Sequence, residues 1–226
     1  MSSAASRGAL AGLSVAMLLS SLGTSSANVA LPTLARELAV PFQSVQWVVL
    51  AYLLAVTTVI VSAGRLGDIV GRRRLLLAGL AVFTVGSVLC GAAPSLGVLV
   101  AARAVQGLGA AVMLALTLSF VGEVVVPERS GAAMGLLGTM SAVGTALGPS
   151  VGGVLLSASS WRAIFLVNVP LGAIALVLVF RYLPVAGRST TPDRLRFDPI
   201  GTVLMALALG AYALAMTVGH GRFGPL

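Results

Sequence analysis

The sequence has no lysine, one cysteine, one histidine and only six acidic residues among its 226. The single Cys90 excludes an intrachain disulfide. It lies in an apolar run, where it reads as a small buried hydrophobe. The single His220 has no ligand partner nearby in sequence, so no metal site is expected. No nucleophile–base pair, phosphate-binding loop or ligand cluster is present, and neither an enzyme nor a cofactor is expected. Charged residues make up 9% of the chain, against roughly 25% in a soluble domain. Aromatics reach only 5%.

Apolar surface fills the space those residues leave. Hydrophobic residues account for 58% of the chain, and there are 27 glycines. A soluble core of this size cannot hide so much apolar area, so the excess must face lipid. Abundant small residues fit helices whose backbones approach closely inside a bilayer. The net charge of +8 is carried entirely by arginine on the basic side. In a soluble chain such basicity would point to nucleic acid. Here the arginines fall in short gaps between apolar runs, where they orient helices and meet anionic headgroups. No basic patch is interleaved with exposed aromatics, so the bilayer rather than nucleic acid is the expected partner.

A helix needs about 20 apolar residues to span a bilayer. Seven runs qualify: Leu10 to Leu31, Val45 to Ala63, Leu75 to Ala93, Leu96 to Val121, Ala132 to Ser157, Trp161 to Leu183 and Ile200 to Gly219. They are too long, and alternate too little, for barrel strands. The first run begins after Arg7 and passes the small residues Ser25 to Ala27, as a signal peptide does, but apolar character resumes at Val29 to Leu31 and makes it long enough to span.

With the N-terminus in the cytoplasm, the inner segments hold Arg7, Arg65, Arg72, Arg73, Arg74, Arg129, Arg181, Arg188, Arg194 and Arg196, and the outer ones only Arg36, Arg162 and Arg222. The positive-inside rule favours that orientation in the cytoplasmic membrane. Trp47 and Trp161 then fall at outer helix ends, as interfacial anchors do. The predicted fold is all-α and integral to the membrane: a six-helix bundle over residues 1–183, a cytoplasmic loop over 184–199 rich in Pro, Thr, Asp and Arg, and a seventh transmembrane helix with a short outer tail over 200–226.

Three segments carry candidate mechanism. The loop after the second span runs from Gly64 and Arg65 through Asp68 and Gly71 to Arg72, Arg73 and Arg74. Its glycines suit a tight turn, and Asp68 among four arginines should stay ionised and paired. Such a cluster serves either as a positive-inside anchor or as a latch that releases when a neighbouring helix moves. Arg103 is the one charge well inside a span, so it must face a polar cavity or a partner. It is either a structural arginine satisfied by helix carbonyls or a proton- or substrate-linked charge, with Gln106 one turn away. Gly144, Gly148 and Gly152 recur every fourth residue and line one helix face. Pro149 interrupts the same helix and removes a backbone hydrogen bond. Static packing and a bendable gate both fit that pattern.

These segments resemble motifs of the major facilitator superfamily. Gly64 to Arg74 is similar to its G-x-L-a-D-r-x-G-r-r signature, with Ile69 where a basic residue is usual. Arg103 to Ala111 resembles R-x-x-Q-G-x-G. Gly144 to Gly153 resembles the antiporter motif g-x-x-x-G-P-x-x-G-G. Asn28 to Pro32 and Trp161 to Pro170 look like the fourteen-span drug/proton antiporters of the EmrB/QacA type. The resemblance covers essentially the whole chain. It implies the N-terminal half of a carrier exporting hydrophobic or amphipathic drugs in exchange for protons. Gly64, Arg65, Asp68, Gly71 and Arg72 would form a cytoplasmic gating loop, Arg103 and Gln106 a cavity charge, and Gly144, Gly148, Pro149, Gly152 and Gly153 a gating helix.

One departure bears on coupling. The family often carries an aspartate in the first span, near the position of Gly23, and this chain has none. Its acids are Glu37, Asp68, Glu123, Glu128, Asp193 and Asp198, all outside the depths of the spans. Carriers of this kind place the substrate between two six-helix halves, so a C-terminal half or a second chain is an expected partner. A metabolite exporter of the same fold and a non-transporting truncated membrane protein are the alternatives.

Overall fold

The computed structural model describes residues 3–184 and 199–218. Most of the predicted 184–199 loop and the tail after residue 218 lie outside the described residues. So do Arg188, Asp193, Arg194, Arg196, Asp198, His220 and Arg222. The helices are α1 (Ser3–Glu37), α2 (Phe42–Val70), α3 (Arg72–Ala92), α4 (Leu96–Ser119), the single turn α5 (Val121–Val124), α6 (Pro127–Ala158), α7 (Trp161–Leu166), α8 (Asn168–Tyr182) and α9 (Pro199–Val218). There is no strand among the described residues. Among the described residues, six segments are long and apolar enough to cross a membrane: α1, α2, α3, α4, α6 and the α7–α8 pair. Helix α9 covers most of the predicted seventh run and packs beside α2.

Prolines shape two of the helical segments. Pro127 opens α6, where its missing N–H is no loss. Pro170 cannot donate to the Leu166 carbonyl, and its ring crowds that residue, so the sixth span breaks into α7 and α8. Helices α1, α2 and α6 run to 35, 29 and 32 residues, well beyond the apolar runs that mark them. Their polar ends stay helical because the hydrogen-bond ladder does not stop at the lipid boundary.

That continuity corrects the predicted loop from Gly64 to Arg74. Helix α2 carries Gly64, Arg65 and Asp68 to its end at Val70, and Gly71 alone separates it from α3. Gly71 has φ +103°, a conformation L residues rarely adopt. Gly64 has open space around it, whereas a Cβ on Gly67 would lie 2.7 Å from Leu116 Cδ2, so Gly67 serves close packing on α4 and not a turn. Gly71→Ala is expected to cost about 1–3 kcal/mol, read as a lower thermal midpoint in detergent. Gly64→Ala should leave that midpoint nearly unchanged.

Helix α1 packs on α6 and α8, and α4 is seated between α2 and α3. The alternation of up and down helices gathers Arg7, Arg65, Arg72, Arg73, Arg74, Arg129 and Arg181 at one end and leaves Arg36 and Arg162 at the other. A buried apolar cluster around Leu13, Leu76, Phe83, Leu116 and Phe120 fills the arginine-rich half. A second, around Leu34, Val45, Leu99, Trp161 and Phe165, fills the other. Trp161 is thus a core residue, 1% exposed, and not the interfacial anchor its position in sequence suggests. It meets Phe165 edge-on at 6.2 Å, and Arg162 covers its ring at 4.4 Å. Trp47 is only half-buried.

Candidate functional site

Arg103 stands between the two apolar clusters, with no exposed surface. Glycines on α4 put it there. A Cβ on Gly107 would meet the Tyr52 carbonyl of α2 at 2.6 Å, and one on Gly109 would meet Phe83 N of α3 at 2.5 Å. Because both positions lack a side chain, α4 sinks against both neighbours at once. The polar atoms of its motif then reach across. Arg103 Nε donates to the Val48 carbonyl at 3.0 Å and Nη1 to Gln106 Oε1 at 2.6 Å. Gln106 Nε2 donates to Ser87 Oγ at 2.7 Å, and the Cys90 thiol points at Gln106 Oε1 from 3.9 Å. The guanidinium lies 4.1 Å from the Tyr52 ring centroid and 5.7 Å from that of Phe165. Tyr52 in turn donates its hydroxyl to the Ser20 carbonyl of α1 at 3.0 Å.

This is a charge held by carbonyl dipoles and ring faces in place of a carboxylate. Such partners lower the cost of a buried guanidinium. Arg103 Nη2 has no partner among the described residues. Gly23, the position where a family acid was expected, lies beside the same network: a Cβ there would be 3.1 Å from Phe83 Cζ and 3.8 Å from Tyr52 Oη. Gln106 was legible from its spacing. Tyr52, Ser87 and Ser20 were not, because nothing in their local sequence distinguishes them from other polar residues in apolar runs.

The α6 glycines form the seam with α1. A Cβ on Gly144 would lie 2.6 Å from the Leu18 carbonyl, and one on Gly148 would overlap Ser25 Oγ and sit 3.0 Å from Ser26 N. Gly152 faces the Ser26 carbonyl at 3.2 Å, whereas Gly153 faces open space and takes no part. Serines bind the seam: Ser21 Oγ and Ser141 Oγ share a 2.7 Å hydrogen bond, and Ser25 Oγ donates to the Gly144 carbonyl at 3.2 Å. Pro149, on the exposed side of α6, leaves the Thr145 carbonyl without its helical donor.

At the arginine-rich end, Arg72 holds two carboxylates. Its Nη2 is 2.8 Å from Asp68 Oδ1 across the Gly71 turn, and its Nη1 is 2.8 Å from Glu123 Oε1 on α5. Three consecutive arginines at the positive end of α3 repel the helix dipole, and the two acids offset that repulsion. Arg65, expected beside Asp68, makes no ion pair among the described residues. Arg73 instead donates to the Phe180 carbonyl near the end of α8 and covers the Phe180 ring at 5.5 Å. Glu123 lies 51 residues from Arg72, and no local pattern announces it. Arg72→Gln is expected to lower stability by about 1 kcal/mol or less, since the pair is partly exposed. A double-mutant cycle with Glu123→Gln in detergent measures the coupling.

The profile described as the Major Facilitator Superfamily matches residues 13–219. Multidrug resistance protein Stp of Mycobacterium tuberculosis is 41% identical over 193 residues, covering 85% of this chain and 35% of Stp. Riboflavin transporter RibZ of Clostridioides difficile is 34% identical over 203 residues, covering 89% of this chain and 44% of RibZ. The chain therefore spans less than half the length of these relatives. Among solved structures, a bacterial homolog of the human lysosomal transporter Spinster, inward-facing and unoccupied, superposes with a TM-score of 0.62 at 17% identity, over 83% of this chain and 45% of that one.

Proposed function

The chain belongs to the Major Facilitator Superfamily, and we propose that it supplies one half of a proton-coupled carrier exporting hydrophobic or amphipathic drugs across the cytoplasmic membrane. The observation that carries this reading is the likeness to a multidrug resistance protein over most of the chain. The tightly interlocked α1–α6 seam supports it: a closely packed helix with a proline on its free side suits a gate that bends without separating. On this reading the second half completes the substrate cavity, and the arginine-rich end with the N-terminus faces the cytoplasm. Asp68, Arg72 and Glu123 form the latch at that end. Arg103 and Gln106 set the charge of the central region. Helix α9 is the seventh span.

Everted vesicles carrying the full-length transporter test the proposal. Ethidium and other amphipathic cations should collapse a preformed pH gradient, and vesicles without the transporter should not respond. The likeness to RibZ favours a second reading, a metabolite carrier. Riboflavin-dependent flux with no response to any drug of the panel would select it. Asp68→Asn in the full-length carrier should reduce transport severalfold while leaving membrane insertion unchanged. Equal flux in that variant rejects the latch.

A further inference from the structure

A groove of about 540 Å³ lies between α3 and α8 at the arginine-rich end. Leu77 of α3 and Leu176, Val177 and Phe180 of α8 line it, and Arg181 adds a charge to that lining. Both helices carry exposed apolar side chains beside it, among them Val82 on α3 and Ile174 on α8, as a face in contact with lipid does. Arg73 ties the two helix ends together: it donates to the Phe180 carbonyl and covers the Phe180 ring at 5.5 Å. Arg74 and Arg181 each follow one member of that contact, so both stand at the same end of the groove, and both are exposed. Arg74 also precedes Leu77 by one helical turn. Arg181 lies 6.0 Å from the Tyr182 ring centroid, a contact that leaves its positive charge in place. Of the described acids, Asp68 and Glu123 are both held by Arg72, Glu37 ends α1 on the far side of the bundle and Glu128 opens α6.

We propose that this groove binds an anionic phospholipid, with an acyl chain along Leu77, Leu176 and Val177 and the phosphate at Arg74 and Arg181. Charge complementarity selects the occupant: the walls are apolar, and the groove ends in cations at the depth where helix ends meet headgroups. A free phosphate would use the arginines and leave the apolar walls wet. A zwitterionic lipid would fill the walls but bring its own cation towards the arginines.

The test titrates phosphatidylglycerol into the full chain in neutral detergent and counts bound lipid by native mass spectrometry. Arg74→Gln/Arg181→Gln should weaken phosphatidylglycerol binding by about 25-fold, roughly fivefold per arginine. Arg36→Gln/Arg129→Gln removes the same charge away from the groove and should retain binding. Arg74→Lys/Arg181→Lys should also retain it, which separates charge from altered folding. Val177→Trp fills the groove with the charges intact and should weaken binding severalfold. Phosphatidylcholine should bind wild type more weakly than phosphatidylglycerol does and lose little in the Arg74→Gln/Arg181→Gln pair. The proposal is overturned if the two glutamine pairs lose binding equally, if the lysine pair fails to bind, or if Val177→Trp binds as wild type does. It is equally overturned if millimolar inorganic phosphate displaces the lipid as well as phosphatidylglycerol itself does. None of these outcomes depends on transport.

Discussion

Arg103→Ala is expected to destabilise the helical bundle by about 3–5 kcal/mol, the range of large buried truncations. The guanidinium has no exposed surface. Its removal empties the space between the Tyr52 and Phe165 rings and leaves Gln106 Oε1 with only the Cys90 thiol at 3.9 Å. A weak S–H donor does not replace a charged one at 2.6 Å. Arg103→Met separates volume from charge. It refills most of the space, so the loss should fall to about 1–2 kcal/mol, the cost of a poorly satisfied buried acceptor. Unfolding midpoints of the two variants, measured in one detergent, decide the point. Equal stability of wild type and Arg103→Ala would remove the network from the account of the fold. A methionine variant more stable than wild type would mean that the charge is kept at a cost to stability, as buried charges often are, and for a purpose other than packing.

Gly148→Leu is expected to cost at least about 3 kcal/mol, at the upper end of overpacking effects. The first added carbon already overlaps Ser25 Oγ and stands 2.7 Å from Ser25 Cβ and 3.0 Å from Ser26 N. Backbone cannot rotate out of the way as a long side chain does, so α1 and α6 must separate along the seam. Gly153→Leu provides the contrast. It adds the same side chain five residues further along the same helix, into open space, and should change stability by less than about 1 kcal/mol. Thermal midpoints of both variants test the difference. On the proposed reading as a drug/proton carrier, Gly148→Leu in the full-length protein should also abolish exchange, whereas a variant that folds and transports normally would show that the seam has room not visible in this conformation.

The two positions show how differently sequence and structure speak. Gly148 and Gly153 belong to one resemblance, which places them in a single motif. Only the packing of α6 on α1 divides them, because a stripe along one face requires spacing of three or four residues and Gly153 lies one residue beyond Gly152. Arg65 and Arg72 likewise both flank Asp68 in sequence. Continuing α2 to Val70 puts Asp68 and Arg72 on either side of one strained glycine, while Arg65 makes no ion pair among the described residues. Trp161 failed as an anchor because a helix end says nothing about what covers it. The neighbours that bury it come from helices far away in sequence.

Sequence alone determined that this chain is helical and lives in a bilayer, where six of its spans lie, and which end collects the arginines. Those properties are additive: each residue contributes its own transfer free energy or charge, so summing along the chain recovers them. The tertiary structure alone decided which carboxylates Arg72 binds, what surrounds Arg103, which glycines touch backbone, and that Leu77 and Arg181 line one groove. Those are properties of pairs separated by tens of residues. Their distances follow from how six helices pack sideways; a glycine stripe marks a face for close contact, but no local pattern records which helix it will meet.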